Sequence, residues 1–334
     1  MIEQASRPRD GNRQPLCEPS AGQVAASALT AFTTFCERRT ERRFAQYADF
    51  ERWAIGHGVD FWTLFVEWSG LRCEGSASPA IAGTGVEHAR FFPELKLNYA
   101  AHLLRTDAAG CEAHRPALTA VHADRAAERW TRGELRARVA ALSAGLSALG
   151  FAAGERAVLL APNTAHAAAG ALAAAAIGCT LSSATADLGV FALLSRFGQV
   201  DPGLLLAELP AGDTPAARTQ RERFVELVRS LHTLRAVVLL DEHPVPDGIE
   251  IPVHRASELI ARHSGSEPVW PMLPFNHPLY ILFTSGTTGV PKCLVHGAGG
   301  TLLEHLKEHL LHCDLKPADK LFFQTSTGWM MWNW

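Results

Sequence analysis

Residues 280–292 read YILFTSGTTGVPK, an apolar run followed by a loop of hydroxyl side chains, glycines and one lysine. The apolar part is typical of a buried β-strand. Gly286 and Gly289 allow backbone amides to approach an anion closely, and Lys292 supplies a mobile positive charge. Four hydroxyl side chains add uncharged donors: Thr284, Ser285, Thr287 and Thr288. The stretch therefore predicts a strand that leads into a polyphosphate-binding loop, although the G-x-x-x-x-G-K-[ST] spacing of a Walker A loop is absent.

Upstream of this loop, strand-like and helix-like segments alternate. The apolar runs that predict strands are residues 117–122, 156–161, 203–207, 236–240 and 279–283. Thr131 and Glu134 have the spacing of a capping box, which predicts a helix from there to about Leu149. Asn163 is the predicted cap of an alanine-rich helix that ends at Gly178, and a further helix is predicted over residues 216–231. This alternation predicts an α/β fold with a mostly parallel sheet covered by helices.

The amino-terminal part of the chain has a different pattern. Residues 1–20 are polar and are predicted to form a flexible tail. Aromatic side chains recur at steps of three and four over residues 21–69, which predicts helices around an aromatic core rather than a ligand site. Residues 70–90 are rich in Gly, Ser and Ala and are predicted to be a connector. We therefore expect a helical domain over residues 21–95 and a large domain over residues 96–334.

Composition limits the classes of function. The 31 basic and 34 acidic side chains give a net charge of −3, which disfavours a nucleic-acid partner because phosphate-backbone binding needs clustered basic surface. Seven scattered cysteines without a CxxC pair indicate free thiols in a reducing cytosol. The apolar stretch 165–177 is too short to span a bilayer, and no secretory signal is present. A cytoplasmic protein without a membrane span is expected.

Residues 284–292 resemble the phosphate-binding signature of the adenylate-forming superfamily, which includes acyl-CoA synthetases, luciferases and peptide-synthetase adenylation domains. Further segments of the chain are similar to that family: LNYA at 97–100, ERWT at 128–131, APNT at 161–164, SS at 182–183 and RFGQ at 196–199. The helical amino-terminal part resembles the leading domain of the acetyl- and acetoacetyl-CoA synthetase branch. One departure is TADLG at 185–189, where the family usually has a run like SPDFG; this change could loosen a turn without inactivating the site.

The end of the chain resembles the acetoacetyl-CoA synthetases most closely. Residues 322–334 read FFQTSTGWMMWNW, and those synthetases carry a very similar GWMMWNW run. The resemblance implies that Trp329, Met330 and Met331 face the acyl chain, where flexible methionines can shape a pocket for a small β-keto acid. Simple core packing of the same side chains is the alternative.

The resemblance implies an ATP-dependent acid–thiol ligase that uses ATP, Mg²⁺ and CoA. Acetoacetate would attack the α-phosphate of ATP, pyrophosphate would leave, and CoA would then take the acyl group from the adenylate. The hydroxyl and glycine loop with Lys292 would hold the β- and γ-phosphates. In the family, the adenine and ribose motifs and the carboxyl-terminal lysine lie beyond the position of Trp334, so no catalytic residue is assigned here. The large domain is expected to be incomplete at its C-terminus, and the chain is expected to be truncated and inactive or nearly so.

Other interpretations remain open at this point. Acetate or propionate could replace acetoacetate, although the two methionines disfavour acetate. A non-catalytic nucleotide-binding remnant would bind ATP without pyrophosphate exchange. The run HLKEH at 305–309 matches the H-x-x-E-H pattern of a zinc peptidase, with no third ligand assigned. Arg218, Arg221 and Arg223 lie near the place where the family holds the CoA phosphate, but a charged helix face is the favoured explanation.

Overall fold

Helices and strands alternate through most of the chain in a computed structural model that describes residues 17–85, 88–106, 113–122, 126–284 and 289–334. The α-helices in these ranges are α1 (Ala21–Ala26), α2 (Ala28–Thr40), α3 (Tyr47–Gly56), α4 (Gly58–Trp68), α5 (Tyr99–Leu103), α6 (Arg132–Ala148), α7 (Ala165–Ala176), α8 (Val190–Val200), α9 (Pro215–Ser230), α10 (Ala256–Arg262), α11 (Ala298–Lys307) and α12 (Met330–Asn333). One turn of π-helix, Glu308–His312, extends α11.

The strands in the same ranges are β1 (Ile81–Ala82), β2 (Arg90–Phe91), β3 (Lys96–Leu97), β4 (Pro116–Ala120), β5 (Glu128–Thr131), β6 (Arg156–Leu160), β7 (Thr180–Ala184), β8 (Leu204–Ala207), β9 (Ala236–Leu239), β10 (Val253–Arg255), β11 (Leu273–Pro274), β12 (Pro278–Thr284) and β13 (Lys292–Gly297). Among the described helices, none is both long and apolar enough to cross a membrane.

A seven-stranded sheet organises the large part of the fold. Its strand order is β10-β9-β8-β6-β7-β12-β13. The first six strands run parallel, and β13 pairs antiparallel with β12. The α/β prediction with a mostly parallel, helix-covered sheet is therefore confirmed.

Side chains on the two faces of this sheet enter two separate cores. Val158 and Leu205 belong to the core that holds Phe197 of α8 and Phe224 of α9. Leu159, the next residue along β6, belongs instead to the larger core, which includes the alanine-rich helix α7. This follows from the two-residue period of a strand, which sends successive side chains to opposite faces. Continuous apolar strands such as β6 are expected where a parallel sheet is covered on both faces.

The amino-terminal helices pack around Phe32, which is 0% exposed. Its ring makes edge contacts with Phe50, Phe61 and Phe65, at centroid distances of 6.1, 5.5 and 5.3 Å. Such geometries are preferred by aromatic pairs. The prediction of an aromatic core over residues 21–69 is confirmed, whereas the domain boundary at 95/96 stays a prediction.

The capping box that begins α6 is present as predicted. The Thr131 amide donates to Glu134 Oε2 at 2.8 Å, and the Glu134 amide donates to Thr131 Oγ1 at 3.2 Å. The Thr131 amide and hydroxyl both donate to the Glu134 carboxylate and favour its ionised form, which lowers the pKa of Glu134. This reciprocal pair satisfies free amides of the first helical turn.

The strand predicted at 117–122 is present as β4, which pairs antiparallel with β5 in a separate two-stranded sheet. Two other details of the sequence interpretation were wrong. The cap of α7 is Thr164 rather than Asn163, since Thr164 Oγ1 accepts from the Ala167 amide at 3.1 Å. The stretch 70–90 includes β1, which pairs with β2, so it is not a simple connector.

Candidate functional site

The strand order reverses at β6, at the centre of the sheet. The chain passes from β6 to β7 on one side and then returns across β6 to β8 on the other. In open α/β sheets, ligands bind outside the carboxyl ends of the strands near such a reversal. Thr284 is the last residue of β12 and so lies where the carboxyl ends of the parallel strands meet. The loop predicted from residues 280–292 therefore begins where ligands usually bind.

The predicted phosphate loop connects the β12–β13 hairpin. Thr284 at the end of β12 is the register partner of Lys292 at the start of β13. Directly opposite residues have Cβ atoms about 4.5–5.5 Å apart and share one face of the sheet. Gly289 has φ +141°, a value that L side chains rarely adopt. Ser285, Gly286, Thr287 and Thr288 lie outside the described residues.

A crevice of about 320 Å³ lies at the carboxyl ends of β7 and β12. It is bounded by residues from β7, α8, β12 and the last part of the chain: Ser183, Ala184, Leu188, Arg196, Ile281, Leu282, Phe283, Thr327, Gly328, Trp329, Met330 and Asn333. Trp329 and Met330 thus line this crevice, whereas Met331 is not among its lining residues. The three side chains are 65%, 49% and 41% exposed, respectively, so they are not packed in a core. Their role in binding an acyl chain remains a prediction.

Two hydroxyl groups hold the last part of the chain against the sheet. Thr327 is 0% exposed, and its Oγ1 donates to the Ala161 carbonyl at 2.5 Å. Ser183 Oγ in turn donates to the Thr327 carbonyl at 2.6 Å. These bonds satisfy buried polar groups that would otherwise cost about 1–3 kcal/mol each. Sequence reasoning did not identify Thr327 as a site residue, and its only signal was a hydroxyl side chain in the polar run QTSTG at 324–328.

The crevice wall also carries polar nitrogen atoms. Arg196 on α8 donates from Nη1 to the Ala192 carbonyl at 2.7 Å, and its guanidinium places a positive charge at the crevice. Asn333 is 7% exposed, and its Nδ2 has no hydrogen-bond partner. Arginine and amide donors of this kind suit the oxygen atoms of carboxylates and phosphates.

The H-x-x-E-H run has other contacts in the structure. His305 is 7% exposed, and its Nδ1 lies 3.3 Å from Tyr99 Oη. Burial lowers the pKa of His305 to about 4, with smaller contributions from His309 and His296. Glu308 pairs with Lys307 at 2.8 Å. No group of three His, Cys, Asp or Glu side chains is arranged to hold a metal ion in the described part of the chain.

The arginines considered for the CoA phosphate lie on α9. Arg218 and Arg221 each approach Asp213 Oδ1 at 3.3 Å. Arg221 also donates to the Pro210 and Gly212 carbonyls at 3.1 and 2.8 Å. These contacts anchor the segment before α9 and match the alternative of a charged helix face. A CoA role for Arg218, Arg221 and Arg223 stays a prediction.

The profile of the family described as AMP-binding enzyme matches residues 105–332, which include β12, β13 and all of the crevice lining except Asn333. This chain belongs to the AMP-binding enzyme family.

Two relatives of this chain carry the same name. An acetoacetyl-coenzyme A synthetase from Rhizobium meliloti (strain 1021) is 38% identical over 323 residues, which are 96% of this chain and 49% of that protein. An acetoacetyl-CoA synthetase from Rattus norvegicus is 37% identical over 300 residues, 86% of this chain and 44% of that protein. The chain spans about half the length of the curated relatives it matches.

A solved structure supports the same relationship at the level of the fold. The acetoacetyl-CoA synthetase from Streptomyces lividans aligns with a TM-score of 0.87 at 37% identity, over 96% of this chain and 49% of that one. The resemblance to adenylate-forming enzymes that the sequence suggested is thereby confirmed. The fold and the family of this chain are thereby established.

Proposed function

We propose that this chain binds ATP for an acetoacetate–CoA ligase that forms acetoacetyl-CoA, AMP and pyrophosphate through an acyl-adenylate. The observation that supports this most is the register of Lys292 with Thr284, beside the crevice lined by Trp329 and Met330. The relatives named as acetoacetyl-CoA synthetases favour acetoacetate as the acid.

In this proposal, the hairpin loop holds the two phosphates that leave as pyrophosphate. Thr284 and the loop hydroxyls donate hydrogen bonds, and Lys292 neutralises charge on the β- and γ-phosphates. Phosphoryl-centred chemistry depends mainly on positioning and charge neutralisation. Mg²⁺ would enter as the complex with ATP and would supply further neutralisation of phosphate charge.

The acid would occupy the crevice, within reach of the α-phosphate. Trp329 and Met330 would contact its carbon chain, and Arg196 would favour an anionic ligand. Met331 is assigned to the same acyl region on the resemblance alone. CoA would then accept the acyl group, and we infer a cytoplasmic reaction because the six described cysteines are free thiols.

A second candidate function is nucleotide binding without catalysis. It requires only the proposed phosphate-binding hairpin, whose strands β12 and β13 are paired in the structure. Both functions require ATP binding at the hairpin loop, and they differ in whether acid and ATP react. Acetate or propionate as the acid is a further alternative within the ligase proposal.

The distinguishing experiment is acid-dependent ATP–pyrophosphate exchange on the full 334-residue chain. Acetoacetate, acetate, propionate and a blank without acid are run in parallel, with Lys292→Ala as the loop variant. Exchange that requires acetoacetate and is lost in Lys292→Ala supports the ligase proposal. Exchange with acetate or propionate in preference to acetoacetate would overturn the choice of acid. ATP binding without exchange for any acid would favour the non-catalytic function.

A further inference from the structure

The strand that carries Lys292 has little support of its own. β13 is the edge strand of the sheet and pairs only with β12 among the described strands. Its first four residues are all exposed, in contrast to β6, whose last four residues are buried. An uncovered edge strand is free to move unless neighbouring elements restrain it. The position of the Lys292 ammonium group therefore depends on contacts from outside the hairpin.

Gln199, near the end of α8, makes such contacts on both sides of Lys292. Its Nε2 donates to the Pro291 carbonyl at 3.0 Å. Its Oε1 lies 3.6 Å from Cys293 Sγ, which is the donor. Desolvation raises the pKa of the Cys293 thiol, so its S–H is present at neutral pH. One amide group therefore contacts the residue before Lys292 and the residue after it.

The helix that presents Gln199 is firmly anchored. Leu193, Phe197 and Val200 of α8 are each no more than 2% exposed and lie in the core of that sheet face. Gln199 Nε2 also lies 2.6 Å from the Ser195 carbonyl, one turn earlier, which limits the rotation of the side chain. A side chain fixed on a packed helix can hold an exposed edge strand in a defined position.

We propose that Gln199 is a positioning residue that holds the exit of the hairpin loop, so that Lys292 points toward the polyphosphate of a bound nucleotide. This inference rests on the proposed function, because it assumes that Lys292 contacts the β- and γ-phosphates. Gln199 itself touches the backbone and the thiol beside Lys292, and it acts on the ligand only through the ammonium group. Pre-organisation of this kind strengthens binding by removing the entropy cost of ordering the lysine.

The test is a double-mutant cycle on MgATP affinity, measured by titration calorimetry on the full chain. The variants are Gln199→Leu, Lys292→Ala and the double variant, with Gln220→Leu on α9 as the matched helical control. Gln199→Leu removes the polar contacts to Pro291 and Cys293 and leaves an apolar side chain of similar size, so it is expected to weaken MgATP binding about fivefold. The same substitution is expected to have no further effect when Lys292 is already alanine, since the group it positions is gone. AMP, which lacks the β- and γ-phosphates, should bind the wild type and Gln199→Leu equally.

A second, more conservative variant at position 199 distinguishes a loss of positioning from a loss of folding. Gln199→Glu keeps the shape and the acceptor but loses the donor to the Pro291 carbonyl, so it should also weaken MgATP binding. Unchanged affinity in Gln199→Leu, or an equal loss in the Lys292→Ala background, would overturn the positioning role. If Lys292→Ala itself leaves MgATP affinity unchanged, the proposed phosphate role of Lys292 fails, which is a different result from a failure of Gln199 alone.

Discussion

His102 is a buried polar side chain with a defined hydrogen-bond partner. His102 is 4% exposed, and its Nδ1 accepts from the Arg72 amide at 3.3 Å. Burial, followed by the charges of Arg105 and Arg72, lowers the pKa of His102 to about 4. Nδ1 can accept a hydrogen bond only while it is unprotonated. The neutral imidazole is therefore the form that the folded protein favours.

The pKa of His102 predicts how acid destabilises the protein. Its folded value lies below the unfolded value of about 6.5, so the unfolded state takes up the proton first. Its contribution to the free energy of unfolding is thus present above about pH 6.5 and is lost as the pH falls toward about 4. His102→Asn keeps an acceptor without ionising and should flatten the pH dependence of urea unfolding in that window by up to about 1.4 kcal/mol per pH unit.

The control for this measurement is His232→Asn, which replaces an exposed histidine. Both variants are unfolded in urea at several values between pH 4 and pH 7. Equal slopes of stability against pH for His102→Asn and the wild type would show that His102 does not carry this effect.

At the scale of one element, helix α11 approaches the rest of the fold closely at its first turn. A Cβ added at Gly299 would lie 2.4 Å from the Phe275 ring. That ring is 1% exposed and packs edge-on against Phe92 at a centroid distance of 5.1 Å, so it has no room to yield. The neighbouring Gly300 has nothing within 4 Å of an added Cβ. Two adjacent glycines of one helix therefore have opposite steric surroundings.

Alanine at these two positions should have opposite effects on stability. Gly299→Ala forces α11 or Phe275 to shift and should lower the free energy of unfolding by about 1–3 kcal/mol. Gly300→Ala adds helix propensity without a clash and should raise it by no more than about 1 kcal/mol. Thermal unfolding of the two variants provides the comparison. If Gly299→Ala proved as stable as Gly300→Ala, or more stable, the close approach to Phe275 would be contradicted.

Across the whole molecule, one buried cluster links the amino-terminal helices to the sheet. It includes Phe32 of α2, Leu159 of β6 and Leu311 of the π-helix. The Ala28 amide also donates to Asp314 Oδ1 at 2.8 Å, across 286 positions of sequence. Elements that share a core tend to unfold together. A substitution that destabilises the aromatic packing of α2 should therefore also destabilise the sheet.

Truncation of Phe32 tests this connection. Phe32→Ala should lower the free energy of unfolding by about 3–5 kcal/mol, because it leaves a cavity among five aromatic rings. Phe191→Ala is the control, since that ring is 87% exposed, and it should change stability by less than about 0.5 kcal/mol. Loss of helical circular dichroism and of tryptophan fluorescence should coincide. Separate transitions would show that the helices and the sheet unfold independently.

The sequence predicted the repeating parts of the fold better than the parts held by single contacts. Continuous apolar runs at 156–161 and 203–207 identified β6 and β8, and the spacing of Thr131 and Glu134 identified the start of α6. The central strand β7 was missed because three of its five residues are hydroxyl-bearing. Two of those hydroxyls find partners far away in sequence: Thr180 Oγ1 donates to the Pro278 carbonyl at 3.2 Å and Ser183 Oγ to the Thr327 carbonyl at 2.6 Å.

For the candidate site, the sequence indicated the loop but not its supports. The hydroxyls, glycines and lysine of residues 284–292 are contiguous, so the sequence alone indicates that they can bind phosphates. Gln199 lies 92 positions before Pro291, and Thr327 lies 166 positions after Ala161. Contacts at such separations depend on strand order, which local patterns do not encode. The shift of the α7 cap from Asn163 to Thr164 has a related cause, because Trp332 Nε1 donates to Asn163 Oδ1 at 2.9 Å.

The most direct test of the central claim is the affinity of the full chain for MgATP with and without the Lys292 ammonium group. Titration calorimetry should show that Lys292→Ala weakens MgATP binding by about tenfold to a hundredfold, the effect of losing one hydrogen-bonded charge. Lys96→Ala, which removes an exposed lysine from β3, should leave the affinity unchanged. Equal affinities for the wild type and Lys292→Ala, or an equal loss in Lys96→Ala, would contradict the assignment of the β12–β13 hairpin as the phosphate-binding site.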